Sequence, residues 1–195
     1  MFTNTLLAPF PLLNIAFFSY IQGMEQTANT LERLTQPIQP DEIEWRVQMQ
    51  TKTGKLIVVP YITNRCVMDR FDKQFGWFGW QNEITEIQGG FLCKITVTVP
   101  ATHTSPVQIL SKTDGASRTD IEPVKGGISD AMKRCAVQFG LGRDLYNYPR
   151  VFVDTPDKFI PDWAHTQLEM LVKKINDGSY KGGEIVTLRA SYQKV

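Results

Sequence analysis

Residues 122–140, EPVKGGISDAMKRCAVQFG, carry the clearest structural pattern in the chain. The proline that follows Glu122 suits the first position of a helix, and Gly140 suits the cap beyond a last turn. Between them, apolar residues recur at the spacing of one helical face, at Ile128, Ala131, Met132, Cys135 and Phe139. We therefore predict a helix here whose apolar face is buried against another layer of the fold.

The other side of this predicted helix carries cations. Lys125 and Lys133 lie two turns apart and project to nearly the same side, and Arg134 follows directly. Asp130 is interleaved with them, so the pattern fits a solvated helix surface as well as a track for phosphates. Charge alone leaves both interpretations open.

The remaining elements alternate between strand and helix periods. Val67, Phe71 and Phe75 repeat every four residues, which predicts a helix that ends at Gly76. A short helix is predicted over 30–36. Alternating or continuous apolar runs predict strands over 44–50, 56–61, 80–87, 91–99 and 107–112.

The predicted elements follow the order α-β-β-α-β-β-β-α, and a short strand over 150–153 and an amphipathic helix over 162–176 come after them. This order indicates an α+β fold in which helices pack on an antiparallel β-meander. We divide the chain into an uncharged extension (1–23), a core domain (24–153), and a carboxy-terminal helix with its tail (154–195).

The composition excludes several classes of protein. The chain has 195 residues, of which 42% are hydrophobic, and it carries 21 Lys+Arg against 20 Asp+Glu. It is too apolar for a disordered chain, and its charge is too balanced for a polycation or an acidic mimic of nucleic acid. Nucleic-acid binding stays open, because affinity depends on where the cations lie and not on their sum.

The first 23 residues contain no charged side chain. Their apolar run is interrupted by Pro9 and Pro11 and falls short of the roughly 18–20 unbroken residues of a membrane span. A secretory signal would need a basic start, which this segment lacks. We expect an extension outside the core and no membrane insertion; an anchor or a partner-binding segment is the alternative.

Neither the cysteines nor the carboxylates form a recognisable catalytic or metal-binding motif. Cys66, Cys93 and Cys135 are widely spaced and fall in apolar patterns, so we expect buried thiols in a reducing cytoplasm. No P-loop or nucleophile elbow is present. The acidic residues that a metal-dependent nuclease could use fit turn and capping roles better; they are Asp114, Asp120 and Glu122. We predict no catalytic residue, no metal site and no cofactor, and therefore not an enzyme.

Two glycine-containing segments have a second interpretation that involves nucleic acid. Gly126-Gly127 fits either a backbone approach to phosphate or close packing of helix on sheet. Residues 75–80, FGWFGW, place four aromatic side chains between a helix and a strand. We expect Trp80 in the core, whereas Trp77 or Phe78 either plugs the core or offers a stacking surface to nucleobases.

These motifs resemble the Rad52 (Rad22) family of single-strand annealing proteins, most closely its short phage and prokaryotic members. The resemblance rests on the Phe-Gly-x-x-Gly-Trp turn at 75–80, the following β-meander, the helix motif at 125–134, and Phe139-Gly140 with the segment 142–146. It extends from about residue 42 to residue 153.

The resemblance implies an ATP-independent protein that binds single-stranded DNA and anneals complementary strands in homologous recombination and double-strand break repair. It implies a homo-oligomeric ring with a basic groove, and a single-strand-binding protein or an exonuclease as a further partner. It also implies a cytoplasmic location, either associated with the nucleoid or as a phage protein in its host. A double-stranded RNA-binding type module and a metal-dependent nuclease are the alternatives.

The resemblance also assigns DNA-binding residues. Lys133 and Arg134 match the family's Lys-Arg pair on the DNA backbone, and Lys125 matches a basic position one helical face earlier. Arg65 lies one residue from a basic groove position, and Val137 stands where eukaryotic members have a further basic residue. The predicted set is completed by neighbouring candidates from the sequence, which are Arg70, Lys73, Arg143 and Trp77.

From these assignments we expect a positive groove on a neutral subunit. Asp69 and Asp130 are then expected to lie away from the face that carries Arg65 and Lys133, with most other acids in turns and terminal segments.

Overall fold

The computed structural model describes residues 32–101 and 106–190, so the predicted extension over 1–23 lies outside the described residues. Within those ranges, residues 32–35 are helical and three longer α-helices follow, α1 (Asn64–Phe75), α2 (Pro123–Gln138) and α3 (Asp162–Asn176). The strands there are β1 (Ile43–Gln50), β2 (Leu56–Ile62), β3 (Trp80–Ile87), β4 (Gly90–Val99), β5 (Gln108–Ser117), β6 (Arg150–Asp154) and β7 (Ile185–Arg189). Two 3-10 helices cover Pro40–Glu42 and Arg143–Asn147.

The described strands form two sheets. The strands β3, β4 and β5 make an antiparallel meander, and the other sheet has the order β1-β2-β6-β7. This confirms the predicted α+β class with a β-meander. It differs from the expected single sheet, and β7 pairs in parallel with β6 in a tail for which no strand was predicted.

Each sheet buries one face under helices. The helices α1 and α2 cover the meander in a core that includes Phe71, Ile95 and Cys135. The helix α3 covers the four-stranded sheet through Leu168 and its neighbours. All three cysteines are unpaired and buried, which confirms their predicted role as small core residues. No helix within the described ranges has the length and apolar character that crossing a membrane would require.

The helix α2 approaches the meander closely because it has glycine where it crosses the sheet. A Cβ on Gly127 would lie 2.8 Å from Cδ2 of Phe91 and 3.1 Å from the carbonyl oxygen of Ser117. These distances are shorter than ordinary van der Waals contacts. Close packing of helix on sheet therefore accounts for Gly127.

We expect Gly127→Ala to lower the free energy of unfolding by about 1–3 kcal/mol, because the added methyl must displace Phe91 or the helix itself. The higher helix propensity of alanine offsets only roughly 1 kcal/mol of that cost. Chemical unfolding measures the change. Gly183→Ala is the matched control, since a Cβ there meets no atom within 4 Å; equal stability of the two variants would contradict the close contact.

Candidate nucleic-acid interface

A groove of roughly 550 Å³ opens where α2 meets the ends of β2 and β5. One wall comes from α2, and the opposite side comes from the turn after β5 and from the second 3-10 helix. The strands β2 and β5 belong to different sheets, so the groove lies where the two sheets meet. Its lining residues are Tyr61, Gly115, Ala116, Ser117, Arg118, Thr119, Asp130, Lys133, Arg134, Val137 and Tyr146.

Lys133 lines this groove and is largely buried. Its side chain is only 13% exposed, and its Nζ lies 2.8 Å from Oδ1 of Asp130. The same ammonium lies 5.7 Å from the centre of the Tyr61 ring. The Lys133 ammonium has three N–H donors, and its ion pair with Asp130 leaves some of them able to donate hydrogen bonds to a phosphate oxygen.

Arg134 is held in place by the edge of β5. Its Nε donates to the carbonyl oxygen of Gly115 at 2.8 Å and to Oδ1 of Asp114 at 3.2 Å. Asp114 is itself fixed, because it accepts hydrogen bonds from the Gly115 N–H and from Nε2 of Gln138. The guanidinium is therefore preorganised, and its side chain is still 54% exposed.

The Asp114 carboxylate stays ionised despite partial burial. Burial alone would raise its pKa, but hydrogen bonds from Gln138 and Gly115 and the charge of Arg134 hold the pKa below its ordinary value. A fixed negative charge therefore stands behind Arg134 on the sheet side of α2.

Aromatic and cationic groups lie together around the groove. Tyr61 contacts two cations, because the Arg46 guanidinium carbon is also 5.4 Å from its ring centre. Tyr146, another lining residue, is 71% exposed. Arg118 lies 4.9 Å from the Phe91 ring centre and forms an ion pair with Glu86. Such an arrangement can neutralise a phosphate backbone and offer ring faces to bases.

Four of these groups were absent from the predicted set. Tyr61, Arg118 and Tyr146 line the groove, and Arg46 contacts Tyr61 from β1. The only local signal was in β2, where strand alternation places Tyr61 on the face opposite buried Ile62. The others depend on which loops the fold brings to α2.

The expectation that Asp130 lies away from the face that carries Lys133 is wrong. Asp130 lines the groove beside Lys133 and forms an ion pair with it. On α1, Arg65 and Asp69 are both exposed one turn apart. The cations of the groove are thus paired with carboxylates of the same subunit.

Two other predicted residues of this region lie outside the groove lining. Lys125 is 77% exposed and pairs with Glu122 at 3.1 Å. Arg143 donates to the carbonyl oxygens of Val137 and Gln138 at 2.8 and 3.2 Å. It therefore caps the carboxyl end of α2, where a cation is favourable.

Arg70 takes part in a network within the subunit, and its role as a DNA-binding residue stays a prediction. Its side chain is 11% exposed and forms an ion pair with Glu42. Its other donors reach the backbone carbonyls of Gln36 and Pro37 at 3.1 Å each. Through these partners, Arg70 joins the segment before β1 to α1.

Glu42 completes this internal network. Burial would raise the pKa of its carboxyl, but the hydrogen bonds from Arg70 and from the Gln39 N–H lower that pKa below its ordinary value. The ion pair is therefore formed at neutral pH.

The remaining candidates lie on α1 and on the turn after it. Arg65 and Lys73 are exposed, and Lys73 borders a smaller cleft of roughly 300 Å³ beside Arg70. Trp77 is 73% exposed and stacks on Phe78 with ring centres 3.8 Å apart. Trp80 instead packs against the core, as predicted. None of these residues lines the groove at α2, so the structure separates the predicted set into two surfaces.

Within residues 32–101 and 106–190, no three His, Cys, Asp or Glu side chains come together as candidate metal ligands. Asp114 and Glu122, two of the carboxylates weighed for a nuclease, are engaged by Arg134 and Lys125.

Comparison with known proteins places this α+β chain in a class of DNA-binding proteins of repair and recombination. The family model described as Rad52/22 family double-strand break repair protein matches residues 26–163. The chain belongs to this family, which confirms the resemblance drawn from its motifs.

Two curated relatives agree with this assignment. The single-stranded DNA-binding protein DdrA of Deinococcus deserti is 29% identical over 147 residues, covering 71% of each chain. The protein of the same name from Deinococcus radiodurans is 26% identical over 147 residues, covering 71% of this chain and 68% of its own.

Proposed function

We propose that this protein binds single-stranded DNA along the α2 groove and anneals complementary strands without ATP, in recombination and double-strand break repair. The observation that carries the proposal is the Lys133–Arg134 pair on a rigid helix, in a groove with exposed aromatic rings, in a chain of the Rad52/22 family. The single-stranded DNA-binding relatives support the choice of ligand.

The physics of annealing fits such a surface. Base pairing itself releases the free energy of the reaction, so the protein needs no nucleotide motor. It must neutralise the phosphates and hold the strands so that their bases stay available. Cations on a helix do this without reading sequence, through contacts that weaken as salt rises.

We also propose that the protein works as a homo-oligomeric ring. Each sheet of the described chain ends in strands without a further strand neighbour, namely β1 and β7 in one sheet and β3 and β5 in the other. Such edges are templates for pairing with another chain. A ring would join one groove per subunit into a continuous track and multiply weak contacts. A single-strand-binding protein or an exonuclease is the proposed further partner.

Mixing the purified protein with complementary oligonucleotides in ATP-free buffer tests the function. We expect annealing faster than the spontaneous rate, no annealing of non-complementary strands, and ring-shaped particles by electron microscopy. A monomer that binds double-stranded RNA and does not accelerate annealing would contradict the proposal. Metal-dependent strand cleavage would contradict it in favour of a nuclease.

The exposed Trp77–Phe78 pair is proposed as a stacking surface for bases. We expect Trp77→Ala to weaken binding of oligothymidylate about fivefold to tenfold, since stacking of one base on an aromatic ring contributes roughly 1–3 kcal/mol. Trp77→Phe should retain most of the affinity. Fluorescence anisotropy measures both. Phe159→Ala removes another exposed aromatic ring, before α3, and should have no effect; an equal loss there would contradict a specific stacking role.

A further inference from the structure

The cations of the groove are each compensated from within the same subunit. Lys133 pairs with Asp130, Arg134 with Asp114, and Arg118 with Glu86. A DNA phosphate that enters this groove therefore meets ion pairs, and its affinity depends on what each carboxylate does when the phosphate arrives.

The two carboxylates that pair with α2 cations differ in their surroundings. Asp114 is 19% exposed and is held on β5 by Gly115 and Gln138, so it supports Arg134 from behind. Asp130 is 42% exposed, lines the groove itself and lies on the same helix as Lys133, three residues earlier. Asp114 therefore positions Arg134. Asp130 instead pairs with Lys133 on the side of the groove where a ligand would bind.

We propose that Asp130 is a built-in competitor of the DNA phosphate for Lys133, and that it sets the affinity of the groove for single strands. This inference rests on the proposed function of the same groove. A phosphate that contacts the Lys133 ammonium comes within a few ångströms of the Asp130 carboxylate. The repulsion between the two anions then cancels part of the attraction to Lys133.

The low exposure of Lys133 strengthens the effect. Its side chain is 13% exposed and lies against Tyr61, so the ammonium has limited freedom to leave Asp130 and reach a phosphate elsewhere. The phosphate must share the ammonium with the carboxylate or displace it. Removing the carboxylate charge while keeping its shape leaves Lys133 in place and removes the competitor.

Asp130→Asn tests the proposal by binding of fluorescent oligothymidylate across a salt series. We expect about tenfold tighter binding at low salt, which corresponds to about 1.4 kcal/mol. We also expect a steeper dependence on salt, because Lys133 then becomes a full phosphate contact. Asp130→Glu keeps the charge, so its affinity should stay well below that of Asp130→Asn.

Glu169→Gln is the matched control, since it also removes one negative charge, at an exposed position on α3 outside the groove lining. Equal gains in Asp130→Asn and Glu169→Gln would overturn the proposal in favour of a general charge effect. Unchanged or weaker binding by Asp130→Asn would overturn it in favour of a positioning role.

The same experiment separates this inference from the proposed function. A wild type that binds no single strand, together with an Asp130→Asn variant that does, would contradict the function while supporting competition by Asp130. If neither binds, both fail. If the wild type binds and Asp130→Asn binds equally well, the function stands and only the inference fails. Thermal unfolding of each variant confirms that the proteins compared are folded.

Discussion

Replacing Lys133 and Arg134 together by alanine is expected to weaken binding of single-stranded DNA by about 100-fold, or about 2.7 kcal/mol. The two side chains lie adjacent in the groove, and hydrogen bonds to charged groups contribute roughly 1.5–3 kcal/mol each. The loss should be similar for all sequences, and the slope of log affinity against log salt should fall by about 0.7 to 1.4, since Asp130 already offsets part of the Lys133 charge. Fluorescence anisotropy over a salt series measures both quantities.

Lys173→Ala with Lys174→Ala is the matched control, because it removes two exposed positive charges from α3. This control should change the affinity little. Unchanged binding by the groove variant, or an equal loss in the control, would show that the DNA-binding residues lie elsewhere.

Breaking the Arg70–Glu42 ion pair is expected to cause the largest loss of stability. Arg70→Ala removes the ion pair and the hydrogen bonds to the backbone of Gln36 and Pro37. We expect the free energy of unfolding to fall by about 3 kcal/mol, because Glu42 is left partly buried without its partner. Arg70→Lys should recover only part of the loss, since an ammonium cannot reproduce the guanidinium fork. Chemical unfolding measures both, and an unaffected Arg70→Ala variant would contradict this role.

The same ion pair predicts a loss of stability in acid. Burial opposes ionisation of Glu42, but its contacts with Arg70 and Gln39 hold the folded-state pKa below the ordinary 4.5. A group with a lowered folded-state pKa stabilises the fold fully above its ordinary pKa and loses that contribution as the pH falls through the folded-state value. Unfolding measured from neutral pH to below 4.5 should therefore show a decline that is shallower in Glu42→Gln.

The helices could be predicted from the sequence because their signals are local. Gly76 ends α1 with a φ of 73°, and Pro123 begins α2, as their residue types indicated. The predicted range 162–176 coincides with α3. In each case an apolar stripe and a terminal signal agree, and no distant contact is needed to define the element.

One strand is longer than predicted and another was not predicted, and both depend on partners distant in sequence. The strand β5 runs to Ser117, past the predicted end at residue 112, because β4 pairs with it as far as Gly90. Its last residues, TDGAS, have the composition of a turn. The strand β7 follows a segment rich in glycine and lysine, and forms beside β6 in parallel. Pairing of this kind overrides a weak local preference.

The site was predictable only where one helix carries it. Lys133 and Arg134 follow from the polar face of α2, whereas Tyr61 and Arg118 reach the groove from β2 and from the end of β5. The network around Arg70 could not be predicted, because a sequence shows a charge but not the backbone carbonyls that surround it. The pairing of Asp130 with Lys133 follows from their spacing, because residues three apart on a helix are neighbours on its surface, and the expectation that Asp130 lies away from Lys133 overlooked this.

Hydrogen exchange of the full chain, with and without saturating oligothymidylate, tests most directly whether the α2 groove holds single-stranded DNA. Light scattering should first establish the same assembly in both samples. We expect DNA to slow exchange at residues 115–119 and 143–147, which border the groove beside Lys133 and Arg134. Slowed exchange confined to α3 and β7, with both groove segments unchanged, would contradict the account.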